Sequence, residues 1–474
     1  MSRVVVVGAG VGGLACALRL ARAGHEVVVV EQGEAAGGKC ARVRRDGFTF
    51  DAGPSLLTMP WLVRDLLGER VVELMPVEPV TRYRFADGTS VELSADLPRA
   101  LEALEAWSPG AGEDWARLLR VCAGMWRASL PVLSGPPPWP PRRPVASEPP
   151  PDPRALLRVR PWHTLRTLAR ATIRDPRLRL VVERFATYAG ADPRRAPAAL
   201  AVAGYVEHAF GAWHVRGGIY AIVEALVAAL REAGGELRLG VRAYALTLAG
   251  GGTAALWGGA GARGRVSGVQ TSAGWLAADA VVFNGDAPSP RERSLSGFAL
   301  LVGLRGRDPA RAHHEIRFPA NYDAEFDDVF VARRPVRDPT LYLAASWVSD
   351  GAEAPADGEN LFVLANAPSG GVDWEAEAER YEAALLARLE LAADRVAFVV
   401  RRTPADLERL TGAVGGAIYG VAPHGRLGTL RRPGNAVRGV RGLWRVGGTT
   451  HPGGGLPLVL LSGRTVAAQI GAAG

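Results

Sequence analysis

The sequence predicts an α/β fold, and three observations near its N-terminus carry that prediction. The first is a four-valine run, Val4 to Val7, which is too short for anything but a buried strand and leads directly into glycines in G-x-G-x-x-G spacing. The second is a helical pattern that stops at Gly24, and the third is another valine run, Val27 to Val30, which finishes on Glu31. Strand, glycine turn, helix, strand and acid in this order form a Rossmann-like β-α-β unit.

Each part of this unit has a physical role in binding a dinucleotide. Gly8, Gly10 and Gly13 permit the tight turn, the close approach of backbone to a pyrophosphate, and tight packing of the helix on the strand. The helix N-terminus presents unpaired N–H groups and a positive dipole end to the phosphates. Glu31, 18 residues past Gly13, can accept hydrogen bonds from an adenosine ribose and favours a 2′-hydroxyl over a 2′-phosphate. The unit predicts a bound dinucleotide, argues against NADP, and leaves FAD and NAD open.

The residues after the acid suit a cofactor that lies extended across the fold. A flexible backbone and two cations follow Glu31 and its neighbour Gln32, at Gly37, Gly38, Lys39 and Arg42. FTFDAGP, residues 48–54, then predicts a short strand and a turn that ends near Gly53. This β-α-β unit followed by a GG-[RK] element resembles the N-terminal signature of the flavin amine oxidase and phytoene desaturase superfamily. The resemblance implies that the cofactor is FAD.

Composition limits the class of protein. A chain of 474 residues is expected to form two or three domains, and 48% apolar residues with a mean hydropathy of +0.05 are typical of a globular protein. We expect neither a signal peptide nor a membrane span, because the first apolar run enters the nucleotide motif at once and no run reaches the length of a span. Cys16, Cys40 and Cys122 lack metal-ligand spacing, so we expect a reducing, cytoplasmic compartment and no metal site.

The net charge of +8 is concentrated in one segment. Residues 140–180 contain ten arginines and three acidic residues, a local net charge of 10 − 3 = +7. Residues 130–153 carry eleven prolines and are expected to form an extended arm. Beyond it, Arg166, Arg170 and Arg174 recur at i, i+4 spacing, either as a solvated helix face or as a basic amphipathic helix on anionic lipid. The neighbouring arm and the local charge favour lipid, and without a recognised module no nucleic acid partner is expected.

The middle of the chain predicts a second domain with a mostly antiparallel sheet. Asp87-Gly88 predicts a hairpin turn, and apolar strands alternate with loops over residues 298–365, where the pair His313-His314 has no third metal ligand. Helical patterns span residues 55–75, 97–130, 222–230 and 374–395. We expect a discontinuous FAD-binding domain and a substrate-binding domain that carries the arm and a basic membrane-associating helix at residues 131–180. The first domain takes residues 1–75, 212–290 and 412–474, and the second takes residues 76–211 and 291–411.

The C-terminal stretch holds a second glycine loop. Residues 442–470 read GLWRVGGTTHPGGGLPLVLLSGRTVAAQI, with a strand at Leu443 to Val446, then Gly447-Gly448, and a helix whose first turn holds Pro457. A glycine loop that leads into a helix N-terminus offers N–H groups and a positive dipole end to an anionic partner, such as a flavin that gains negative charge on reduction.

This C-terminal element, V-G-G-T-T-H-P-G-G-G-L-P, closely resembles the flavin-contacting signature of bacterial phytoene desaturase-type carotenoid desaturases. The resemblance covers nearly the whole chain and includes FTFDAGP, RFATYAGADP and WHVRGG, and it is weakest in the proline arm. The GGG-L-P and S-G-R forms look most like the desaturases of 1-hydroxylated carotenoids.

The resemblance implies an FAD-dependent desaturase that removes two hydrogens from a lipophilic carotenoid, one of them as hydride to the flavin. It would work peripherally on the cytoplasmic membrane, with quinone or oxygen as electron acceptor. It places Ala243 near the adenine, and along the flavin Asp286, Gly447, Gly448, Gly454, Leu456 and Pro457. His451 would lie by the flavin, where a proton relay and a turn-stabilising role are both open. The chain leaves other functions open: a phytoene desaturase, a carotenoid isomerase, a flavin amine or porphyrinogen oxidase, and a non-enzymatic escort protein.

Overall fold

A computed structural model describes residues 2–68, 72–137, 157–259 and 261–473. Its first layer is a parallel sheet of five strands, with every neighbouring pair parallel. From one edge to the other the strands are Leu443–Arg445, Ala280–Phe283, Arg3–Val7, Glu26–Val30 and Glu236–Arg238. The predicted valine strands lie at its centre, buried on both faces, which is why they read as continuous apolar runs.

Helices cover one face of this sheet, and a smaller sheet covers the other. The helical face includes Val11–Arg22 and Leu456–Ile470, which pack on each other. The other face packs on a sheet of short strands. Its strands are Thr253–Ala254, Ala243–Leu248, Gly264–Thr271 and Gly274–Ala277, with Val440–Arg441 joined to the third.

A second large sheet has seven strands and confirms the expected antiparallel region. Its order is Val396–Arg402, Ser296–Arg305, Gly358–Ala367, Leu341–Ala344, His314–Arg317, Thr81–Arg84 and Ser90–Leu93. All neighbours are antiparallel except His314–Arg317 and Thr81–Arg84, which run parallel. The last two strands form the hairpin predicted from Asp87-Gly88. Two further strand pairs join Arg42–Arg45 to Phe48–Asp51, and Leu74–Pro76 to Trp213–Val215.

Twelve α-helices lie in the described residues: Val11–Arg22, Trp61–Leu67, Leu97–Trp107, Ala111–Ser134, Leu165–Thr172, Pro176–Arg184, Val202–Phe210, Ala221–Glu232, Tyr322–Phe326, Trp374–Arg388, Pro404–Thr411 and Leu456–Ile470. Within that part of the chain, none of the helices combines the length and the apolar character needed to cross a membrane. The three cysteines are free and buried, and burial raises the pKa of Cys16 to about 12.

Two helix predictions were too long, and a third region is interrupted. Residues 55–75 hold only the helix Trp61–Leu67 and then a short strand, and residues 374–395 hold a helix that ends at Arg388. The stretch 97–130 is two helices, because Gly110 takes a left-handed conformation (φ +80°) and interrupts the pattern.

The expectation of an extended arm from residue 131 is wrong at its start. The helix that begins at Ala111 continues through Pro131 to Ser134. Pro131 has no N–H to donate to the Arg127 carbonyl, so the last turn of the helix lacks that bond, and the helix ends three residues later. Residues 138–153 of the arm lie outside the described residues.

The prediction of one arginine face beyond the arm is wrong for two of its three members. The helix Leu165–Thr172 has eight residues, and Arg174 lies past its end, where its Nε is 3.0 Å from a carboxylate oxygen of the buried Asp114. Arg166 is turned inward, with Nε 3.1 Å from Glu183 Oε1. Only Arg170 remains exposed without an ion pair in the described residues. Spacing alone did not reveal the acidic partners, which come from other segments.

Candidate cofactor and substrate site

The N-terminal glycine turn packs too tightly to accept side chains. Gly8 has φ +100°, and a methyl group built on it would lie 2.7 Å from the carbonyl oxygen of Asn284. A methyl group on Gly13 would lie 2.3 Å from the Gly8 carbonyl oxygen, and one on Gly10 would lie 2.8 Å from Asn284 Nδ2. Asn284 also donates from Nδ2 to the Gly8 carbonyl (3.1 Å). Asn284 was missed from the sequence, although its place directly after the strand Ala280–Phe283 was a usable signal.

The acid at the end of the second strand is held by backbone donors. Oε2 of Glu31 accepts from the Ala9 N–H (2.8 Å), and Oε1 accepts from the Gly33 N–H (2.9 Å). Each carboxylate oxygen keeps a further lone pair for a hydroxyl donor. The Val241 N–H donates to the Glu31 carbonyl (2.8 Å), which brings the strand containing Ala243 beside the acid. The exposed Gln32 follows directly.

The glycine pair at 37–38 meets this turn backbone to backbone, and Gly53 packs on the residue that follows the pair. Gly37 forms a β-bridge with Gly10, and a methyl group on Gly38 would lie 3.4 Å from the Gly10 Cα. A methyl group on Gly53 would lie 1.9 Å from the carbonyl oxygen of Lys39. The predicted glycines therefore surround one point at the carboxyl end of the first strand.

Lys39 lies between this point and the C-terminal part of the chain. Its Nζ donates to the carbonyl oxygens of Ala417 (3.0 Å) and Ile418 (2.8 Å) and lies 3.7 Å from Asp286 Oδ2. Burial lowers the pKa of Lys39, and the Asp286 carboxylate opposes that shift. The ammonium group thereby fastens the segment around residues 417–418 to the glycine cluster.

Arg42, the second expected phosphate-binding cation, is engaged with other protein groups. Its guanidinium forms a bidentate pair with Glu224, with Nη1 3.0 Å from Oε2. The guanidinium carbon also lies 4.6 Å from the ring centre of Tyr220. A phosphate contact by Arg42 stays a prediction.

Asp286 supplies the strongest sign that a ligand completes the site. Its side chain is buried, and Oδ2 has no hydrogen-bond partner among the described residues. A buried carboxylate oxygen without a donor is costly, so a ligand with hydroxyl or N–H groups fits here. The residue also lines a cleft with Gly285, Thr449 and Thr450. A ribityl or ribose hydroxyl could donate to this carboxylate oxygen. Such hydroxyls belong to the cofactor that the glycine turn predicts.

The C-terminal glycine loop touches the N-terminal one. Gly447 has φ +103°, and a methyl group on Gly12 would lie 3.0 Å from its Cα. Gly448 and Gly454 are close together, because a methyl group on Gly448 would lie 3.3 Å from the Cα atom of Gly454. The helix Leu456–Ile470 follows, with the buried Leu456 at its start and Pro457 in its first turn. Two helix N-termini thus face the same region.

His451 is buried (4% exposed) in this loop. Its Nε2 lies 3.1 Å from the carbonyl oxygen of Gly135, the residue that ends the helix Ala111–Ser134. Burial lowers the pKa of His451, and the hydrogen bonds to backbone carbonyls oppose that shift. This geometry supports the turn-stabilising role that the sequence left open.

A polar chain that the sequence did not reveal leads away from the cofactor region. Ser55, two residues past Gly53, is hydrogen-bonded to the hydroxyl of Tyr342 in the second large sheet. The same hydroxyl lies 2.8 Å from Nδ1 of His314. Burial lowers the pKa of His314 to about 3, so the ring is neutral. Ser55 and Tyr342 are 287 residues apart, so their contact left no spacing signal in the sequence.

Three buried groups elsewhere come together without any sequence signal. One ligand atom each from His214, Asp350 and Glu353 lies within 4.8 Å of the others. His214 Nε2 is 3.1 Å from Glu353 Oε1, and Asp350 Oδ2 accepts from the Gly217 N–H (2.8 Å). All three are thus bonded to protein groups.

Comparison with known proteins identifies the class of protein. Residues 11–471 match the family of flavin-containing amine oxidoreductases. The fold is that of cyclohexylamine oxidase from Brevibacterium oxydans IH-35A, with a TM-score of 0.60 at 17% identity over 99% of this chain and 98% of that one. The chain therefore belongs to the flavin-containing amine oxidoreductase family and is an FAD-dependent oxidoreductase.

Relatives of similar length narrow this class. Hydroxyneurosporene desaturase from Rubrivivax gelatinosus is 33% identical over 98% of this chain and 92% of its own length. A zeta-carotene-forming phytoene desaturase from Myxococcus xanthus is 31% identical over 99% of this chain and 93% of its own length. These relatives confirm the phytoene desaturase-type resemblance, the FAD cofactor, and the predicted α/β fold with a Rossmann-like unit and a second mixed sheet.

Proposed function

We propose that this FAD-dependent oxidoreductase desaturates a carotenoid, and that the carotenoid carries a hydroxyl at its C1 end. The observation that carries the proposal is the 33% identity to a hydroxyneurosporene desaturase over 98% of the chain. The C-terminal glycine form points to the same group of substrates. When bound, FAD supplies a two-electron acceptor for hydride from the substrate.

The chain's own residues would hold this cofactor in two halves. Glu31 would accept from the adenosine ribose, and the turn Gly8 to Gly13 with its helix N-terminus would face the pyrophosphate. Asp286 and the loop Gly447 to Pro457 would face the flavin half. We accordingly propose a discontinuous FAD-binding domain of residues 1–75, 212–290 and 412–474, with the remaining residues forming the substrate-binding domain.

The enzyme would take its substrate from the surface of the cytoplasmic membrane. Exposed apolar side chains flank the proline arm, with Leu130 38%, Leu157 57% and Trp162 50% exposed. The exposed Arg170 lies near them along the chain. Apolar side chains beside a cation suit peripheral contact with anionic lipid, and a hydrophobic substrate dissolved there needs such contact.

Anaerobic turnover on liposomes tests the function. The purified holoenzyme is mixed with liposomes containing a 1-hydroxylated carotenoid, lycopene or phytoene, and the absorbances of the flavin and of the polyene are followed together. Bleaching of the flavin with a red-shifted polyene from the hydroxylated substrate is expected, and adding oxygen or a quinone afterwards identifies the acceptor. Liposomes without carotenoid serve as the control.

Other outcomes would redirect the assignment. Conversion of phytoene without conversion of the hydroxylated substrate would make the protein a phytoene desaturase. An unchanged flavin with a rearranged polyene would indicate an isomerase. A flavin that is bleached by none of these polyenes but is bleached by a soluble amine would overturn the proposal.

A further inference from the structure

A charged cluster lies buried in the substrate half of the molecule. Arg184 ends the helix Pro176–Arg184 and is 6% exposed, and Glu207 in the helix Val202–Phe210 is 9% exposed. Nη1 of Arg184 donates to the hydroxyl of Tyr188 (2.8 Å), and that hydroxyl donates to Glu207 Oε1 (3.2 Å). The tyrosine hydroxyl therefore joins a cation to an anion.

The cluster leaves hydrogen-bonding capacity unused. Among the described residues, Nε and Nη2 of Arg184 and Oε2 of Glu207 have no hydrogen-bond partner. These atoms are not sealed inside the packed core, because both side chains retain some exposure and none of the three belongs to the fully enclosed unpaired atoms. Largely buried charged groups without a full set of partners are costly unless a ligand supplies the missing bonds.

The cluster lies close to Tyr342, and Gly190, two residues past Tyr188, lies close to Tyr419. The Arg184 guanidinium carbon lies 5.7 Å from the ring centre of Tyr342, whose hydroxyl is bonded to Ser55 beside the glycine cluster. On the other side, a methyl group on Gly190 would lie 2.8 Å from Tyr419 Cδ2.

Tyr419 also packs against a second glycine. A methyl group on Gly454, in the C-terminal glycine loop, would lie 2.4 Å from Tyr419 Cδ1. The segment that carries the cluster therefore lies near Tyr342, which is bonded to Ser55, and near Tyr419, which packs on the loop that we propose to hold the flavin half.

We propose that Arg184, Tyr188 and Glu207 bind the C1 hydroxyl of the carotenoid. This inference rests on the proposed function and assigns the residues that select the substrate. A hydroxyl is both acceptor and donor, so it can accept from Arg184 and donate to Glu207 Oε2. In a 3,4-desaturation, one carbon separates the hydroxyl-bearing carbon from the bond that is oxidised. A hydroxyl bound by this cluster would therefore hold the reacting bond close to it, on the side of Tyr342 and Tyr419, whereas a pure hydrocarbon has no group that could bond to the cluster.

The test compares two substrates in matched variants. Arg184→Met and Tyr188→Phe are prepared as holoenzymes, with Arg380→Met and Tyr244→Phe as controls at exposed positions. The readouts are kcat/KM for a 1-hydroxylated carotenoid and for the corresponding hydrocarbon, and equilibrium binding of each in detergent. The ratio of hydroxylated to hydrocarbon kcat/KM is expected to fall about 10- to 100-fold in Arg184→Met and less in Tyr188→Phe. The binding ratio should fall with it, and the controls should match the wild type.

The possible outcomes separate this inference from the proposed function. If the wild type desaturates hydroxylated carotenoids while both variants lose activity equally on the two substrates, the cluster is structural and the inference is overturned although the function stands. If the wild type converts neither polyene, the proposed function itself fails. Should Arg184→Met not fold, Tyr188→Phe decides, because it removes a single oxygen: an unchanged substrate ratio overturns the inference and a lowered one supports it.

Discussion

The cofactor side and the substrate side of this molecule are built from different parts of the chain. The cofactor side relies on backbone, with glycine turns at residues 8–13 and 447–455 that each lead into a helix N-terminus. The substrate side relies on side chains from distant segments, such as Arg184 with Glu207, and Tyr342 with Ser55. We therefore expect the cofactor side to lose its function when a methyl group is added to a glycine. The substrate side should lose its function when a charged side chain is removed.

The largest effect is expected from Gly13→Ala. Gly13 lies in a helix, where alanine is normally favoured, but the added methyl group would lie 2.3 Å from the Gly8 carbonyl oxygen. We expect a purified protein without flavin and a loss of about 3 kcal/mol in the free energy of unfolding, because the obstacle is backbone. Flavin content and urea unfolding measure both.

Gly124→Ala is the matched control for this comparison. Gly124 also lies inside a helix, Ala111–Ser134, and nothing lies within 4 Å of an added methyl group. This variant should keep its flavin and gain about 0.5 to 1 kcal/mol of stability. Equal behaviour of the two variants would show that the glycine turn does not depend on close packing.

The next effect separates two arginines one helical turn apart. Arg166→Met removes the partner of the buried Glu183 and should cost about 3 kcal/mol of unfolding free energy. Arg170→Met removes an exposed charge, so stability should change by less than about 0.5 kcal/mol. Urea unfolding measures both variants.

Vesicle binding tests the proposed contact of Arg170 with lipid. If Arg170 meets anionic lipid, its loss should weaken co-sedimentation with phosphatidylserine vesicles by about 1 kcal/mol, with no effect on neutral vesicles. Unchanged binding to anionic vesicles would contradict the proposed membrane contact of this segment.

These two arginines show how far sequence reasoning reached. The glycine turns, Glu31 and the terminal helix were predicted because backbone geometry requires glycine at fixed positions. The ion pairs of Arg166 were missed because Glu183 lies in the next helix and Asp323 is 157 residues away, whereas i, i+4 spacing describes only the helix itself. Asp286 was placed only by the family resemblance and Asn284 was missed, although both follow the parallel strand Ala280–Phe283, whose carboxyl end is where a ligand is expected.

Glu31→Gln tests the polar contact on the backbone-built side. The amide keeps the shape of the side chain but loses the negative charge that accepts from the Ala9 and Gly33 N–H groups. The Kd for FAD, measured by flavin fluorescence, should rise about tenfold, as expected for one charge-assisted hydrogen bond. Glu34→Gln, at an exposed position three residues on, should leave it unchanged. An unaltered Kd in Glu31→Gln would remove this acid from the ribose site.

The smallest effect concerns pH and the substrate side. Burial raises the pKa of Glu207 from 4.5 to about 7, with Arg184 and Tyr188 opposing the shift. Between these values the folded state binds more protons than the unfolded one, so this group's contribution to stability falls as pH rises through that window.

Glu207→Gln should remove this contribution. As the pH rises from about 5 to about 7, the variant should lose on the order of 1 kcal/mol less unfolding free energy than the wild type. Burial also raises the pKa of Asp51 to about 6. Asp51 therefore lowers stability with rising pH in the wild type and in the variant alike, so the difference between the two proteins reports on Glu207. A steeper pH dependence in the variant would mean that Arg184 keeps the Glu207 carboxylate ionised throughout, and the cluster would then present a fixed ion pair to the substrate.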